Sequence, residues 1–186
     1  MKRINLYIFA RRPEISVGKS RLKKKIGKIP ASNLYLNNLL KTIKTFYKDN
    51  RIDLKICVCP DNAVKNWPKS IFPQLKRIPQ GKGNIGKKMW TILNNDTKCK
   101  ILIGSDIIDI KIKYIIEAWK KLQNNDIVLG PAEDGGFWLI GVAKTKKLRF
   151  IFDNVNWDLN KTLAQVKSNL KKNISIDYTK KLKDID

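Results

Sequence analysis

Ile101-Leu102-Ile103-Gly104-Ser105-Asp106-Ile107-Ile108-Asp109 is a short apolar run that ends in Gly-Ser-Asp, and a helical pattern resumes at Lys111. A run of this length bounded by turn residues predicts a buried strand that delivers a carboxylate to its C-terminal edge. Ligands of open α/β sheets bind at that edge. A second punctuated stretch of the same form follows at Leu129 to Val142, LGPAEDGGFWLIGV. Together the two predict one site for a divalent metal and a phosphorylated ligand.

Outward from this stretch, apolar runs predict further strands at Ile4–Phe9, Leu54–Cys59, Leu75–Ile78, Ile127–Leu129, Phe137–Val142 and Ile174–Ile176. Helices are predicted between them. Ser32 is the expected cap of a helix whose stripe is Leu36, Leu39, Leu40, Ile43, Phe46 and Tyr47, at spacings of three and four. Asp61 is the expected cap of a short helix toward Trp67, and a further helix runs through Met89, Trp90 and Leu93. Asp109 is expected to cap a helix marked by Ile112, Ile115, Ile116, Trp119 and Leu122, and Leu159, Leu163, Val166 and Leu170 outline the last helix. Strands alternating with helices predict an α/β fold with a mainly parallel sheet covered on both faces. No repeat, low-complexity tract or linker divides residues 1–186, so one domain is expected.

Composition narrows the chemistry. The chain has 39 basic and 16 acidic residues, a formal charge of +23, and 42% apolar residues. Such a balance favours polyanionic partners, yet the basic residues are mostly scattered lysines, which reads as a solvated basic surface rather than a nucleic-acid face. There is no histidine, which excludes Ser/His and Cys/His catalysis. The three cysteines make neither a disulfide framework nor a zinc site, and buried free thiols fit a reducing compartment. The N-terminal apolar run is short and leads into Arg11-Arg12-Pro13, unlike a signal peptide, and no apolar stretch is long enough to span a bilayer. A cytoplasmic location is the expectation. No feature specifies an oligomeric state.

The loop after the first strand carries Arg11, Arg12, Lys19 and Arg21, suited to neutralising phosphates. Gly18-Lys19-Ser20 is no P-loop, because Pro13 stands where that pattern needs glycine. Gln80-Gly81-Lys82-Gly83-Asn84-Ile85-Gly86 joins a strand to a helix and allows close backbone approach to a ligand. Asp106, Asp109, Glu133, Asp134, Asp184 and Asp186 are the candidate acids. Carboxylates at strand ends, without histidine, suit Mg²⁺ or Mn²⁺. Each has a structural alternative: Asp109 as a cap, Glu133 as surface, Asp134 as a turn residue before Gly135-Gly136. Asp106 follows a buried strand without being needed as a cap.

Gly104-Ser105-Asp106, Gln80-Gly81-x-Gly83-x-Ile85-Gly86 and Gly130-Pro131-Ala132-Glu133-Asp134-Gly135-Gly136-Phe137-Trp138-Leu139-Ile140-Gly141 resemble the signature blocks of a bacterial glycosyltransferase-like family, DUF2064. Some of its members are termed arsenosugar-biosynthesis glycosyltransferases. Arg12-Pro13-Glu14 through Lys19-Ser20-Arg21-Leu22 resembles the family's phosphate-side loop, and Trp157 and Asp184-Ile185-Asp186 fit in order. The resemblance implies a single-domain GT-A fold of the nucleotide-diphospho-sugar transferase superfamily, a Rossmann-like three-layer sandwich with a mostly parallel mixed sheet. Relatives include molybdenum-cofactor and phospholactate nucleotidyltransferases.

By the same resemblance, Asp106 binds the metal, Mg²⁺ or Mn²⁺, with Asp186 as a further acid toward it. Arg11, Arg12, Lys19, Arg21, Ser105 and the turn residues Gln80, Gly81, Gly83 and Gly86 surround the nucleotide. Asp134 joins Asp106 as a catalytic residue, and Glu133, Gly135, Gly136 and Trp157 border the acceptor. This chain departs from the family in carrying Ile15-Ser16 for Pro-Gly, Ile107-Ile108 for a small residue and proline, and Lys88 for arginine. The implied activity is a metal-dependent glycosyl transfer from a nucleotide-activated sugar. Nucleotidyl transfer to a phosphorylated small molecule and a basic nucleic-acid-binding module are the alternatives.

Overall fold

The computed structural model describes residues 3–13, 20–95, 98–143, 148–157 and 160–184. Among these, seven strands form one sheet: β1 (Ile4–Arg11), β2 (Ile52–Cys59), β3 (Arg77–Pro79), β4 (Lys100–Gly104), β5 (Ile127–Pro131), β6 (Phe137–Val142) and β7 (Ile176–Tyr178). Their order is β3-β2-β1-β4-β6-β5-β7. β1 pairs in parallel with β2 and β4, and β2 with β3. β6 runs antiparallel to both neighbours, β4 and β5, while β7 is parallel to β5. The sheet is therefore mixed and mostly parallel, as expected.

The helices are α1 (Ser20–Ile26), α2 (Lys28–Tyr47), α3 (Ile85–Leu93), α4 (Ile112–Lys121) and α5 (Thr162–Ser168). Alternation along β1 sorts the core into two layers. Leu6, Ile8 and Ala10 join Leu39, Ile43 and Phe46 of α2 and Ile115 and Ala118 of α4 on one face. Tyr7 and Phe9 join Met89 and Ile92 of α3, Phe152 and Val166 on the other. Strands buried on both faces read as continuous apolar runs, which is why β1 and β4 are legible in the sequence.

Three expected caps are corrected. α2 begins at Lys28 behind Gly27, whose φ is 87°, so Ser32 lies inside the helix. Pro30 falls in the first turn, where its missing N–H is no loss. Asp61 follows the capping position, held by Pro60, of a short 3₁₀ turn, Asp61–Val64, and its carboxylate accepts from the Gly81 N–H at 3.1 Å. Asp109 has a positive φ of 55° and precedes the α4 cap, Lys111, by two residues. Its carboxylate pairs instead with Lys41 at 3.2 Å.

At the base of β4, Lys100 is fully buried. Its ammonium donates to the Ile92 carbonyl at 2.9 Å and to the Asn95 side-chain oxygen. A cation set against the last carbonyls of α3 satisfies groups that the helix end leaves without intrahelical partners.

Candidate functional site

Strand order reverses between β1 and β4, since β2 and β3 lie to one side of β1 and β4 to the other. A crevice outside the C-terminal ends of these two strands is the general ligand position of such sheets. The register pairs Phe9 with Gly104, so Arg11, still paired with Cys59 of β2, and Asp106, beyond the end of β4, each stand two residues past the last β1–β4 pair, and both charges act on Tyr35. The sheet thus sets a guanidinium-bearing residue beside a carboxylate-bearing one, suited to phosphate and metal respectively.

The β4 end is built around Asp106. A side chain at Gly104 would put its Cβ 3.0 Å from the Asp106 carboxylate, so glycine leaves room for the carboxylate to fold back toward the strand end. Ser105 is buried, and its carbonyl accepts from the Asn38 amide at 2.8 Å. Ile107 turns into the core below, so the bulk that departs from the family pattern packs inward. Ile107 also bridges to Asp184, and the Ile108 N–H donates to the Lys183 carbonyl at 2.9 Å. These contacts bring the backbone of Asp184 alongside the residue after Asp106.

The β1 end is held from α2. The Tyr35 hydroxyl donates to the Arg11 carbonyl and accepts from the Arg11 N–H, both at 2.9 Å. It is also hydrogen-bonded by the Ser105 side chain. Burial raises the Tyr35 phenol to about 12, with the Asp106 charge adding and the Ser105 and Arg11 hydrogen bonds opposing. The phenol therefore stays protonated, and its hydrogen remains available to the Arg11 carbonyl at neutral pH.

The Gln80–Gly86 turn divides into parts with different roles. Gln80 is buried, and its amide donates to the Cys57 carbonyl at 2.9 Å and the Ala10 carbonyl at 3.4 Å, tying the ends of β1 and β2 together. Gly81, with φ 83°, has open space where a side chain would stand. Gly86 is buried, and a Cβ there would lie 2.6 Å from Phe152 and 2.8 Å from Trp157. Packing against Phe152 and Trp157 alone requires glycine at this position. Trp157 in turn packs on Phe152 and Phe137, joining the start of α3 to the start of β6. Lys88 of α3 reaches the β2 end, where its ammonium lies 3.8 Å from the Cys59 sulfur.

Beyond β5, the Asp134 carboxylate accepts from the Gly136 N–H at 2.8 Å and shapes the turn into β6. The Glu133 N–H donates to the Leu182 carbonyl, and the Gly135 carbonyl accepts from the Leu163 N–H. Glu133 and Asp134 are exposed on a turn held from two sides. Segment 182–184 links this turn to the Asp106 end, because Leu182 bridges Ala132 two residues before Asp184 bridges Ile107. Lys19, Asp186 and the Arg21 side chain lie outside the described residues.

The donor set fits Mg²⁺ or Mn²⁺. Asp106 is a half-buried carboxylate at a strand end, and the backbone of Asp184 bridges the next residue, Ile107. Among the described residues no three acids or cysteines converge. A small hard cation that keeps waters and binds substrate phosphate oxygens suits so sparse a protein shell. Sequence reasoning missed Tyr35 and Asn38, and noted Lys88 only as a departure from the family pattern. The first two flank the apolar stripe of α2 at an interval of three, a spacing that marks one helix face without saying what it meets.

Residues 42–158 match the family of uncharacterised proteins conserved in bacteria designated DUF2064. The chain belongs to this family. No curated protein matches its sequence. The DUF2064 chain is similar to a solved structure from Desulfovibrio desulfuricans G20, provisionally designated a nucleotide-diphospho-sugar transferase. Identity is 25% and the TM-score 0.84, over 100% of this chain and 83% of that one. It shares its fold with 4-diphosphocytidyl-2C-methyl-D-erythritol synthase from Anaerococcus prevotii DSM 20548, with 11% identity and TM-score 0.62 over 96% and 87% of the two chains. The same holds for glucosyl-3-phosphoglycerate synthase from Mycobacterium tuberculosis, solved with Mn²⁺, UDP and phosphoglyceric acid, with 9% identity and TM-score 0.54 over 98% and 69%. The DUF2064 chain thus has the GT-A architecture of the nucleotide-diphospho-sugar transferases. Among the described residues no helix is long and apolar enough to cross a membrane.

Proposed function

We propose that this protein is a glycosyltransferase that binds a nucleotide-activated sugar, with Mg²⁺ or Mn²⁺, in the crevice between β1 and β4. The observation that carries the reading is the convergence of Arg11 and Asp106 at the point where strand order reverses. Arg11 and Arg12 supply positive charge for the diphosphate, and the open space at Gly81 admits a ligand against the backbone. Asp106 would hold the metal, and Asp184, whose backbone bridges Ile107, is a further acid of the same segment. When bound, the metal offsets the charge that develops on the diphosphate leaving group. The turn carrying Glu133 and Asp134 would receive the acceptor, and an exposed carboxylate there is suited to take its proton.

The fold is shared with both glycosyl-transferring and nucleotidyl-transferring enzymes, so nucleotidyl transfer is the second reading. The two separate by ligand: nucleoside diphosphates and nucleotide sugars for the first, triphosphates with pyrophosphate release for the second. A thermal-shift panel of these ligands, with and without Mn²⁺, tests both, because a ligand that binds the native state raises its midpoint by mass action. Stabilisation by UDP-sugars or GDP-sugars that requires Mn²⁺ is the expected result. Stabilisation by triphosphates alone would favour the second reading. No nucleotide response with either metal would sink both.

A further inference from the structure

We propose that α2 fixes the geometry of the crevice, with Tyr35 and Asn38 as positioning residues that clamp the ends of β1 and β4 to one helix. The inference deepens the transferase reading and rests on it for its functional consequence.

The two residues lie three apart on α2 and so share a face. Each reaches a different strand end. Tyr35 holds both backbone polar groups of Arg11, the last residue of β1. Asn38 holds the carbonyl of Ser105, the residue before Asp106. The Ser105 hydroxyl closes the arrangement by bonding the same phenol. The backbone at Arg11 and the backbone just before Asp106 are thus tied to a common support.

These ties matter because β1 and β4 no longer pair with each other at this level, although Arg11 still pairs with Cys59 of β2. The last β1–β4 pair is Phe9 with Gly104. Beyond it the separation of the two is no longer set by ladder hydrogen bonds between them. A tyrosine that both donates to and accepts from one residue replaces that ladder with a side chain. The core stripe of α2, Leu39, Ile43 and Phe46, anchors the helix on the sheet below and makes the support rigid. Groups that orient a metal ligand without touching the metal typically change its affinity by roughly 10–100-fold when removed.

The test compares Tyr35→Phe and Asn38→Ala with Lys41→Ala, which lies three residues further along α2 but makes only an exposed pair with Asp109. Calorimetric titration with UDP, with and without Mn²⁺, is the functional readout, and amide hydrogen exchange is the local one. In Tyr35→Phe, exchange should accelerate at Arg11 and also at Ser105 and Asp106, and UDP affinity in Mn²⁺ should fall roughly tenfold. Affinity without metal should stay within about twofold, so the gain conferred by Mn²⁺ shrinks. Asn38→Ala should reproduce this from the β4 side, and Lys41→Ala should match the unaltered protein. A purely structural tyrosine would lower the thermal midpoint while leaving the Mn²⁺ gain unchanged. That result overturns the clamp, as does faster exchange confined to Arg11. If the unaltered protein binds no nucleoside diphosphate in Mn²⁺, the glycosyl-transfer reading falls, and the exchange pattern alone decides the clamp.

Discussion

Asp106 and Asp134 are both acids in turns, and their surroundings separate what each substitution should do. Asp106 lies over Gly104 at the end of a buried strand. Asp106→Asn keeps the shape and removes the charge, so Mn²⁺-dependent nucleotide binding should be lost while the fold persists. Calorimetry showing unchanged metal and nucleotide affinity would refute the assignment. Asp134 already has a structural task, accepting from the Gly136 N–H. Alanine therefore confounds two effects, but asparagine keeps an oxygen for that hydrogen bond. Asp134→Asn should retain stability within about 0.5 kcal/mol and lower turnover more than affinity; full turnover in this variant would reduce Asp134 to a turn residue. The neighbouring Gly135 has φ 88°, and a Cβ there would lie 1.9 Å from the Asn160 carbonyl oxygen. Gly135→Ala should cost about 1–3 kcal/mol in chemical denaturation from backbone strain alone, and more from displacement of the segment around Asn160. At this scale Asp106 was legible because nothing local required it. The separate roles of Gly81 and Gly86 were not, since a sequence shows that glycine is present but not which neighbour crowds it.

Elements were legible in proportion to their burial. β6 occupies the expected Phe137–Val142, and β1 and β4 differ from expectation only at their ends. β7 was expected at Ile174–Ile176 and lies at Ile176–Tyr178, where all three residues are only half-buried and the apolar run gives little guidance. The start of α2 was misplaced because Ser32 imitates a cap, whereas a glycine with positive φ five residues earlier and a first-turn proline two residues earlier do the work. The end of α3 was hidden for a different reason. Its last carbonyls are met by Lys100, which a sequence reading assigns to solvent but which is fully buried on β4. Lys100→Met preserves length and apolar stem, so it isolates the lost contacts to the Ile92 carbonyl and Asn95. We expect a loss of about 1–3 kcal/mol in denaturant unfolding, the usual cost of buried acceptors left without donors. No change would mean that water replaces the ammonium without penalty.

The charge of the whole molecule raises a question that neither residues nor elements answer: whether +23 is the function or the background to it. Long-range attraction from scattered surface lysines is screened within about 8 Å at physiological ionic strength. Contacts made at the end of the β1–β4 crevice are different, because Ser105 is buried and Asp106 and Arg12 are half-buried. Partial burial shields such contacts from salt, and a hydrogen-bonded, metal-linked diphosphate adds directional bonds that a charged surface lacks. The two modes should therefore separate on a salt axis. Binding to double-stranded DNA of random sequence should weaken by roughly 10³–10⁵ between 50 and 200 mM salt if some 6–10 phosphates are neutralised, and should ignore base sequence. Mn²⁺-dependent nucleotide binding should change far less over the same range and vanish in Asp106→Asn, while DNA binding survives that substitution. Fluorescence anisotropy with labelled DNA, run beside nucleotide calorimetry at matched salt, measures both. DNA binding that persists at 200 mM salt and discriminates sequence would make nucleic acid the partner and the crevice secondary.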